Sequence, residues 1–140
     1  YDVHGIDAGI KLVGLTRRLM GRTLDLAEIK FEGIEPGKKG IEGIDAARIR
    51  DCATRGERLK LFGEVFAGEG GALQARVGPR ALPAESPFAH IDGFRNAIGI
   101  HGVLNGTKMD LFLSGPGAGA DETASRVIGN LNALVDLLRL

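Results

Sequence analysis

A carboxylate and an amine stand four residues apart near the start of the sequence, as Asp7 and Lys11. In a helix this spacing places both side chains on one face, one turn apart. Such an amine can polarise a carbonyl group or donate a proton to a developing alkoxide, while the carboxylate holds it in place. The neighbouring Leu12 and Val13 predict a partly desolvated amine, which favours proton donation. The alternative is a surface ion pair that contributes only ~0.3–0.5 kcal/mol.

A glycine-rich string, Ser114 to Gly119, precedes the last predicted helix. It does not have the spacing of a dinucleotide-binding fingerprint, because Ala120 stands three positions after Gly117 and Gly119 comes too early. One interpretation is a plain turn between a strand and a helix. The other is an open backbone surface at a helix N-terminus, where an anion or a flat ring can approach.

Other residue types that often carry chemistry give weaker signals. Asp2 and His4 bring further polar groups to the start of the first helix. Cys52 lies on the apolar face of a predicted helix, where a small buried filler is the commoner use, and we reject it as a nucleophile. The three histidines lack the spacing of metal ligands, so the sequence predicts no metal site.

The elements that must position these residues can be read from hydrophobic spacing, glycines and prolines. The predicted helices cover residues 6–20, residues 45–54, and the segment from Glu122 or Thr123 to Leu138, whose apolar stripe we expect to be buried. The predicted strands cover residues 28–34, 58–66, 72–77 (ended by Pro79 and Pro83), 94–104 and 108–113, with Asn105-Gly106 as a hairpin turn. The pattern predicts one α+β domain over residues 1–140, with a mixed, largely antiparallel sheet and helices packed on one face.

Composition and charge exclude several classes of protein. The 140 residues carry no net charge and few aromatic side chains, which argues against a nucleic-acid surface. No apolar run approaches the ~18–20 residues that cross a bilayer, so we expect no membrane partner. A single cysteine excludes an internal disulfide, and a cytoplasmic location is expected.

Taken in order, these motifs resemble the catalytic half of homoserine dehydrogenase. The string from Tyr1 to Leu12 resembles that family's Asp-Val-x-Gly-x-Asp-x-x-x-Lys signature. Further matching segments follow in the family's order: Phe31 to Ile34, Gly43 to Asp45, Gly56 to Leu61, Ser86 to Ala97, and Gly115 to Gly119 followed by Thr123 to Ser125. The resemblance therefore spans essentially the whole chain.

The resemblance implies a reaction and residue roles. The family interconverts homoserine and aspartate semialdehyde with NAD or NADP, on the aspartate pathway to threonine and methionine. By resemblance, Lys11 is the catalytic proton donor and acceptor at the substrate oxygen. Asp7 is its partner and a substrate contact, and Asp2 helps to hold the substrate's amino group. Residues that look like the part that meets the cofactor are Gly115, Gly117, Ala118, Gly119 and Thr123.

The resemblance also implies that the chain lacks part of the machinery. The family's nucleotide-binding domain, with its glycine fingerprint and a second active-site lysine, has no counterpart here. A substrate-binding glutamate that precedes the Asp2 position and the part that holds the family's metal ion are also absent. We therefore expect a fragment or isolated domain that forms a homodimer, binds the cofactor mainly through the absent domain and is inactive alone.

Two alternatives remain open at this point. The first is a non-catalytic module that keeps the fold and dimerises or binds an amino acid. The second is a semialdehyde dehydrogenase that works through a thiol, which would need a reactive cysteine where Cys52 is poorly placed. The sequence does not distinguish NAD from NADP, since the ribose-reading residue lies elsewhere.

Overall fold

The computed structural model describes residues 2–138, which form two compact units, the first ending at Ala89 and the second beginning at His90. The helices are α1 (Ile6–Met20), α2 (Ala46–Thr54) and α3 (Ala120–Leu138). The strands are β1 (Lys30–Phe31), β2 (Glu57–Ala67), β3 (Leu73–Pro83), β4 (Arg95–Leu104) and β5 (Thr107–Pro116). The predicted α+β class is confirmed, while the single domain over 1–140 stays a prediction.

Helix α1 has the predicted bounds, and Gly5 and Gly9 let it lie close to the sheet. Gly5 at its start and Gly21 at its end adopt left-handed φ angles of 78° and 64°. Gly5 and Gly9 are both buried, and a methyl group on Gly5 would lie 2.7 Å from Cγ1 of Val77. On Gly9 it would lie 2.8 Å from Cζ of Phe31. The helix that carries Asp7 and Lys11 therefore has a fixed position on the strands beneath it.

The first unit contains a mixed three-stranded sheet in the order β1-β3-β2. Strand β3 pairs antiparallel with β2 from Leu73 to Pro83 and parallel with β1 at Arg76 and Val77. The core beneath α1 is formed by Leu12, Leu24, Ile29, Ala75 and Val77. The predicted mixed, largely antiparallel sheet is present.

The face of this sheet away from α1 carries ion pairs beside the aromatic side chains of Phe62 and Phe66. Nε of Arg76 lies 2.6 Å from the Glu64 carboxylate, and Nη2 of Arg80 lies 2.7 Å from the Glu32 carboxylate. These contacts hold the pKa of Glu32 below its usual value, chiefly through the hydrogen bond from Arg80. The same contacts raise the pKa of Arg76, chiefly through Glu64.

The second unit contains a β-hairpin followed by α3. Strands β4 and β5 pair from Arg95↔Pro116 to Leu104↔Thr107. Asn105 and Gly106 have φ angles of 50° and 79°, which fits the predicted two-residue turn. The prediction of a buried stripe on α3 is wrong for this chain, because the stripe is exposed: Val127, Ile128, Leu131, Leu134, Val135 and Leu138. An apolar stripe indicates that a helix face needs cover, but not which element supplies it.

Other predicted boundaries require correction. The strand predicted at 28–34 shortens to Lys30–Phe31, because residues Leu26–Glu28 form a 3₁₀ turn capped by the Asp25 carboxylate. Pro79 does not end β3, which continues to Pro83. Since β1 pairs with β3 only at Arg76 and Val77, Pro79 lies beyond that pairing and its missing N–H breaks no bond to β1. Helix α2 begins as predicted, with the Asp45 carboxylate accepting the Arg48 N–H at 2.8 Å.

No helix within residues 2–138 combines the length and apolar character needed to span a membrane.

Candidate active site

The predicted acid–amine pair is formed on α1. Nζ of Lys11 lies 2.7 Å from Oδ2 of Asp7, and the side chains are 56% and 51% exposed. More than half of the Lys11 side chain faces solvent, and the partial desolvation of its amine stays a prediction. An exposed pair of this kind contributes about 0.3–0.5 kcal/mol to stability.

The third predicted substrate contact, Asp2, lies in the turn that leads into α1. The Gly5 N–H donates to the Asp2 carbonyl oxygen at 3.1 Å, and the Gly9 N–H donates to the Gly5 carbonyl oxygen at 3.0 Å. The Asp2 side chain is exposed. The turn and the first turns of the helix are therefore continuous, and all three polar residues belong to one short stretch. Tyr1 lies outside the described residues.

The loop formed by residues 37–43, for which the sequence predicts no role, contacts this turn. The Ile41 N–H donates to the Val3 carbonyl oxygen at 2.8 Å, and the Glu42 carboxylate lies 3.7 Å from Nε2 of His4. The available sequence signal was the density of glycines between Gly37 and Gly43, which marks close backbone approaches as well as flexible turns.

The glycine-rich string lies in the second unit and is shorter as a loop than predicted. Gly115 and Pro116 belong to β5, so the loop proper begins at Gly117, whose N–H donates to the Phe94 carbonyl oxygen at 2.6 Å. A methyl group on Gly117 would collide with the Asn96 side chain, and one on Gly119 with the Glu122 carboxylate. Packing against Asn96 therefore explains Gly117, whereas Gly119 is explained by its φ angle of 134°, because the Glu122 carboxylate can rotate aside.

Of the predicted cofactor contacts, Gly115 borders open space, whereas the Thr123 hydroxyl is already hydrogen-bonded within its own helix turn. A methyl group on Gly115 would meet no described atom within 4 Å, so its backbone faces open space. The Thr123 hydroxyl, in the first turn of α3, donates to the Gly119 carbonyl oxygen at 2.8 Å. Ala118 lies in the same loop, outside helix and strand.

The charges around this loop disfavour a phosphate group. A shallow hollow of about 320 Å³ is lined by Pro116, Asp121, Glu122, Ser125 and Arg126. Two carboxylates outweigh one guanidinium there, and both carboxylates lie in the first turn of α3, where they already complement the helix dipole. A pyrophosphate would be repelled by this excess of negative charge.

Two further sequence predictions concern Cys52 and metals. Cys52 is 4% exposed, and Nη2 of Arg55 donates to its sulfur at 3.4 Å, which fits a buried filler. Within residues 2–138, no three His, Cys, Asp or Glu side chains are grouped as they would be around a metal ion.

Comparison with known proteins identifies the family. The family model of homoserine dehydrogenase matches residues 1–131. This chain belongs to the homoserine dehydrogenase family. It is 31% identical over 139 residues to the homoserine dehydrogenase of Bacillus subtilis and 33% identical over 130 residues to an NAD(+)-dependent homoserine dehydrogenase of Pseudomonas canavaninivorans.

The solved structures agree. A crystal structure of S. aureus homoserine dehydrogenase at pH 7.0 superposes with a TM-score of 0.79 at 26% identity, covering 99% of this chain. The chain spans about a third of the length of these family members: 30% of the Bacillus protein, 34% of the Pseudomonas protein and 33% of the S. aureus chain.

Proposed function

We propose that this chain is the substrate-binding and dimer-forming part of an NAD- or NADP-dependent homoserine dehydrogenase, which interconverts homoserine and aspartate semialdehyde. Membership of the family supports the reaction. The observation that carries the residue roles is the Asp7–Lys11 pair at 2.7 Å, adjoining the turn that holds Asp2. The cytoplasm is the location we propose for this enzyme.

The roles of the residues follow from their chemistry. A nicotinamide cofactor, when bound, would supply the hydride chemistry at the substrate carbon. In reduction of the aldehyde, the Lys11 ammonium donates a proton to the oxygen that becomes the hydroxyl group. In oxidation, the neutral Lys11 amine accepts the hydroxyl proton. Asp7 orients Lys11, and Asp2 attracts the positively charged amino group of the substrate.

The cofactor would contact this chain at the glycine string. The open backbone at Gly115 and the acidic hollow beside it suit the ring end, with Gly117, Ala118, Gly119 and Thr123 shaping the loop. The phosphates would be bound by a nucleotide-binding domain outside this chain. Hydride transfer needs the ring in near contact with the substrate carbon, so we expect this chain to be inactive by itself.

We also propose a homodimer formed through this part of the enzyme. The hairpin and α3 expose apolar side chains such as Val103, Leu113 and Leu131. The outer face of the three-stranded sheet exposes Phe66 beside its ion pairs. A two-stranded hairpin is at best marginally stable alone. We therefore expect the second unit to be covered in the assembled enzyme, and light scattering at several concentrations tests for the dimer.

Replacement of Lys11 in the complete enzyme tests the proposal. Lys11→Ala should lower kcat by about 10²–10⁴-fold, the usual effect of losing a general acid–base group. The matched control is Lys30→Ala, which also removes an exposed lysine paired with a carboxylate at 3.0 Å and should leave turnover unchanged. Normal turnover in Lys11→Ala would refute the role of Lys11. Binding of homoserine without any turnover by the unmodified enzyme would instead favour the non-catalytic amino-acid-binding module.

A further inference from the structure

We propose that Gly40, together with Ile41, is a positioning element that fixes the Asp2–Gly5 turn for recognition of the substrate's amino group. This inference rests on the proposed function and adds residues to it that lie outside the signature sequence. Its basis is a direct contact between two backbone segments that are far apart in the chain.

The turn is connected to the sheet by a relay of three backbone hydrogen bonds. The Glu32 N–H donates to the Val77 carbonyl oxygen, the Gly40 N–H donates to the Glu32 carbonyl oxygen, and the Ile41 N–H donates to the Val3 carbonyl oxygen, each at 2.8 Å. Val77 is fully buried at the centre of the core. The backbone of the buried core is therefore connected to the turn through these hydrogen bonds.

Gly40 makes the closest approach in this relay. It is buried and has a φ angle of 59°, in the left-handed region. A methyl group there would collide with the Val3 carbonyl oxygen and would lie 2.6 Å from the carbonyl carbon of His4. These are backbone atoms, which cannot rotate aside as a side chain can. Any larger residue at position 40 must therefore displace the turn, the loop, or both.

Side-chain contacts between the loop and the turn add a weaker connection. The Glu42 carboxylate lies 3.2 Å from Nζ of Lys38 and 3.7 Å from Nε2 of His4. The hydrogen bond from Lys38 is the main reason that the pKa of Glu42 is lowered. These side chains are 37–53% exposed, and ion pairs this accessible to water contribute little to stability. The backbone contacts at Gly40 and Ile41 therefore carry the positioning.

Displacement of the turn should affect substrate affinity more than proton transfer. Asp2 lies in the turn itself, whereas Lys11 lies further along α1, where the helix packs on the sheet through Gly9 and Leu12. A charge-assisted hydrogen bond weakens steeply with distance and angle. A shifted Asp2 would therefore bind the amino group less well while Lys11 stays in place.

The test compares three glycine variants in the complete enzyme. Gly40→Ala should raise KM for homoserine about tenfold or more, the value of a lost hydrogen bond to a charged group, and lower kcat less than threefold. Gly37→Ala is the matched control, with a φ angle of 81° and no described atom within 4 Å of the added methyl group. Gly43→Ala is a second control, since its φ angle is also 81° and its nearest contact is an ordinary 3.5 Å to Glu35. Both controls keep the backbone strain but not the collision with the turn, so their KM should stay within twofold of the unmodified value.

An unchanged KM in Gly40→Ala, or an equal rise in all three variants, would overturn the inference and leave the proposed function intact. Absence of homoserine turnover in the unmodified enzyme would instead refute the proposed function. The kinetic pattern thus separates the two failures.

Hydrogen exchange in the unmodified enzyme decides the matter if Gly40→Ala does not fold. Homoserine should slow exchange of the Ile41 amide, which bonds to the turn, more than exchange of the Lys38 amide, which bonds to Glu35 within its own loop at 3.1 Å. Equal protection of both amides would overturn the inference.

Discussion

Replacement of Gly9 by alanine tests whether close helix–sheet packing fixes α1. Alanine is the better helix former by about 1 kcal/mol, so the local effect of the change is favourable. The added methyl group, however, would lie 2.8 Å from Cζ of Phe31 and 3.1 Å from Cδ1 of Leu26. Since ordinary carbon contacts are about 3.5–4.0 Å, the ring and the helix must move apart.

The expected change in the free energy of unfolding combines the gain in helix propensity with the cost of the close contacts. Overpacking of a buried site costs about 1–3 kcal/mol, which outweighs the helix propensity and leaves Gly9→Ala neutral to about 2 kcal/mol less stable. Gly14 on the same helix is the matched control, because it is exposed and an added methyl group would meet no described atom within 4 Å. Gly14→Ala should therefore raise the free energy of unfolding by up to about 1 kcal/mol.

Urea unfolding followed by circular dichroism measures the difference, which should be about 1–3 kcal/mol between the two variants. A double-mutant cycle with Phe31→Leu identifies the contact, because a smaller side chain should reduce the penalty of Gly9→Ala. In the complete enzyme, displacement of α1 should also lower kcat, since the helix carries Lys11. Equal stabilisation by Gly9→Ala and Gly14→Ala would refute the packing argument.

Three further changes test other parts of the first unit by urea unfolding. Asp45→Ala removes the cap on the Arg48 N–H and should lower the free energy of unfolding by about 1 kcal/mol. Val77→Ala should cost about 2–3 kcal/mol, about 0.8 for each of two lost carbons plus the cavity. Glu32→Gln tests the carboxylate whose pKa Arg80 lowers below its usual value. The ionised carboxylate stabilises the fold above its usual, unfolded-state pKa, and this stabilisation is lost as pH falls through the lower folded-state pKa. Glu32→Gln should therefore be less stable at pH 7 and converge with the unmodified protein in acid.

The first helix was predictable because every local signal agreed. Glycines mark both ends of the apolar spacing between Ile6 and Met20, and Asp7 falls where the helix dipole favours a carboxylate. The Asn105-Gly106 turn was predictable for the same reason, since few other dipeptides tolerate two positive φ angles. Local conformational preference determined both features.

Features that depend on distant residues were not predictable in this way. Pro79 is a strand-ending signal taken alone, but it is tolerated where β1 no longer pairs with β3. The alternation at 28–34 indicated a strand, but the Asp25 cap draws the first of those residues into a 3₁₀ turn. For α3, the sequence predicted the apolar stripe but not its exposure in this chain.

In the candidate site, too, local features were predictable from the sequence and contacts between distant residues were not. Spacing alone placed Asp7 and Lys11 on one helix face, and the 2.7 Å contact agrees. The contact of Gly40 with the Val3–His4 backbone joins positions 36 residues apart or more, and no local pattern indicates a partner at that distance. The roles given to Asp2 and to Gly115 through Thr123 stay predictions that rest on the family resemblance.

The exposure of Asp7 and Lys11 makes their proposed role separable from stability. Removal of Lys11 deletes a pair that contributes about 0.3–0.5 kcal/mol, and Asp7 keeps its favourable place in the first turn, so Lys11→Ala should unfold almost as the unmodified protein does. The residues that position the helix behave in the opposite way, because Gly5 and Gly9 are buried and their replacement strains the core. A loss of turnover without a loss of stability therefore implicates the amine itself, whereas a loss of both implicates the packing that holds it.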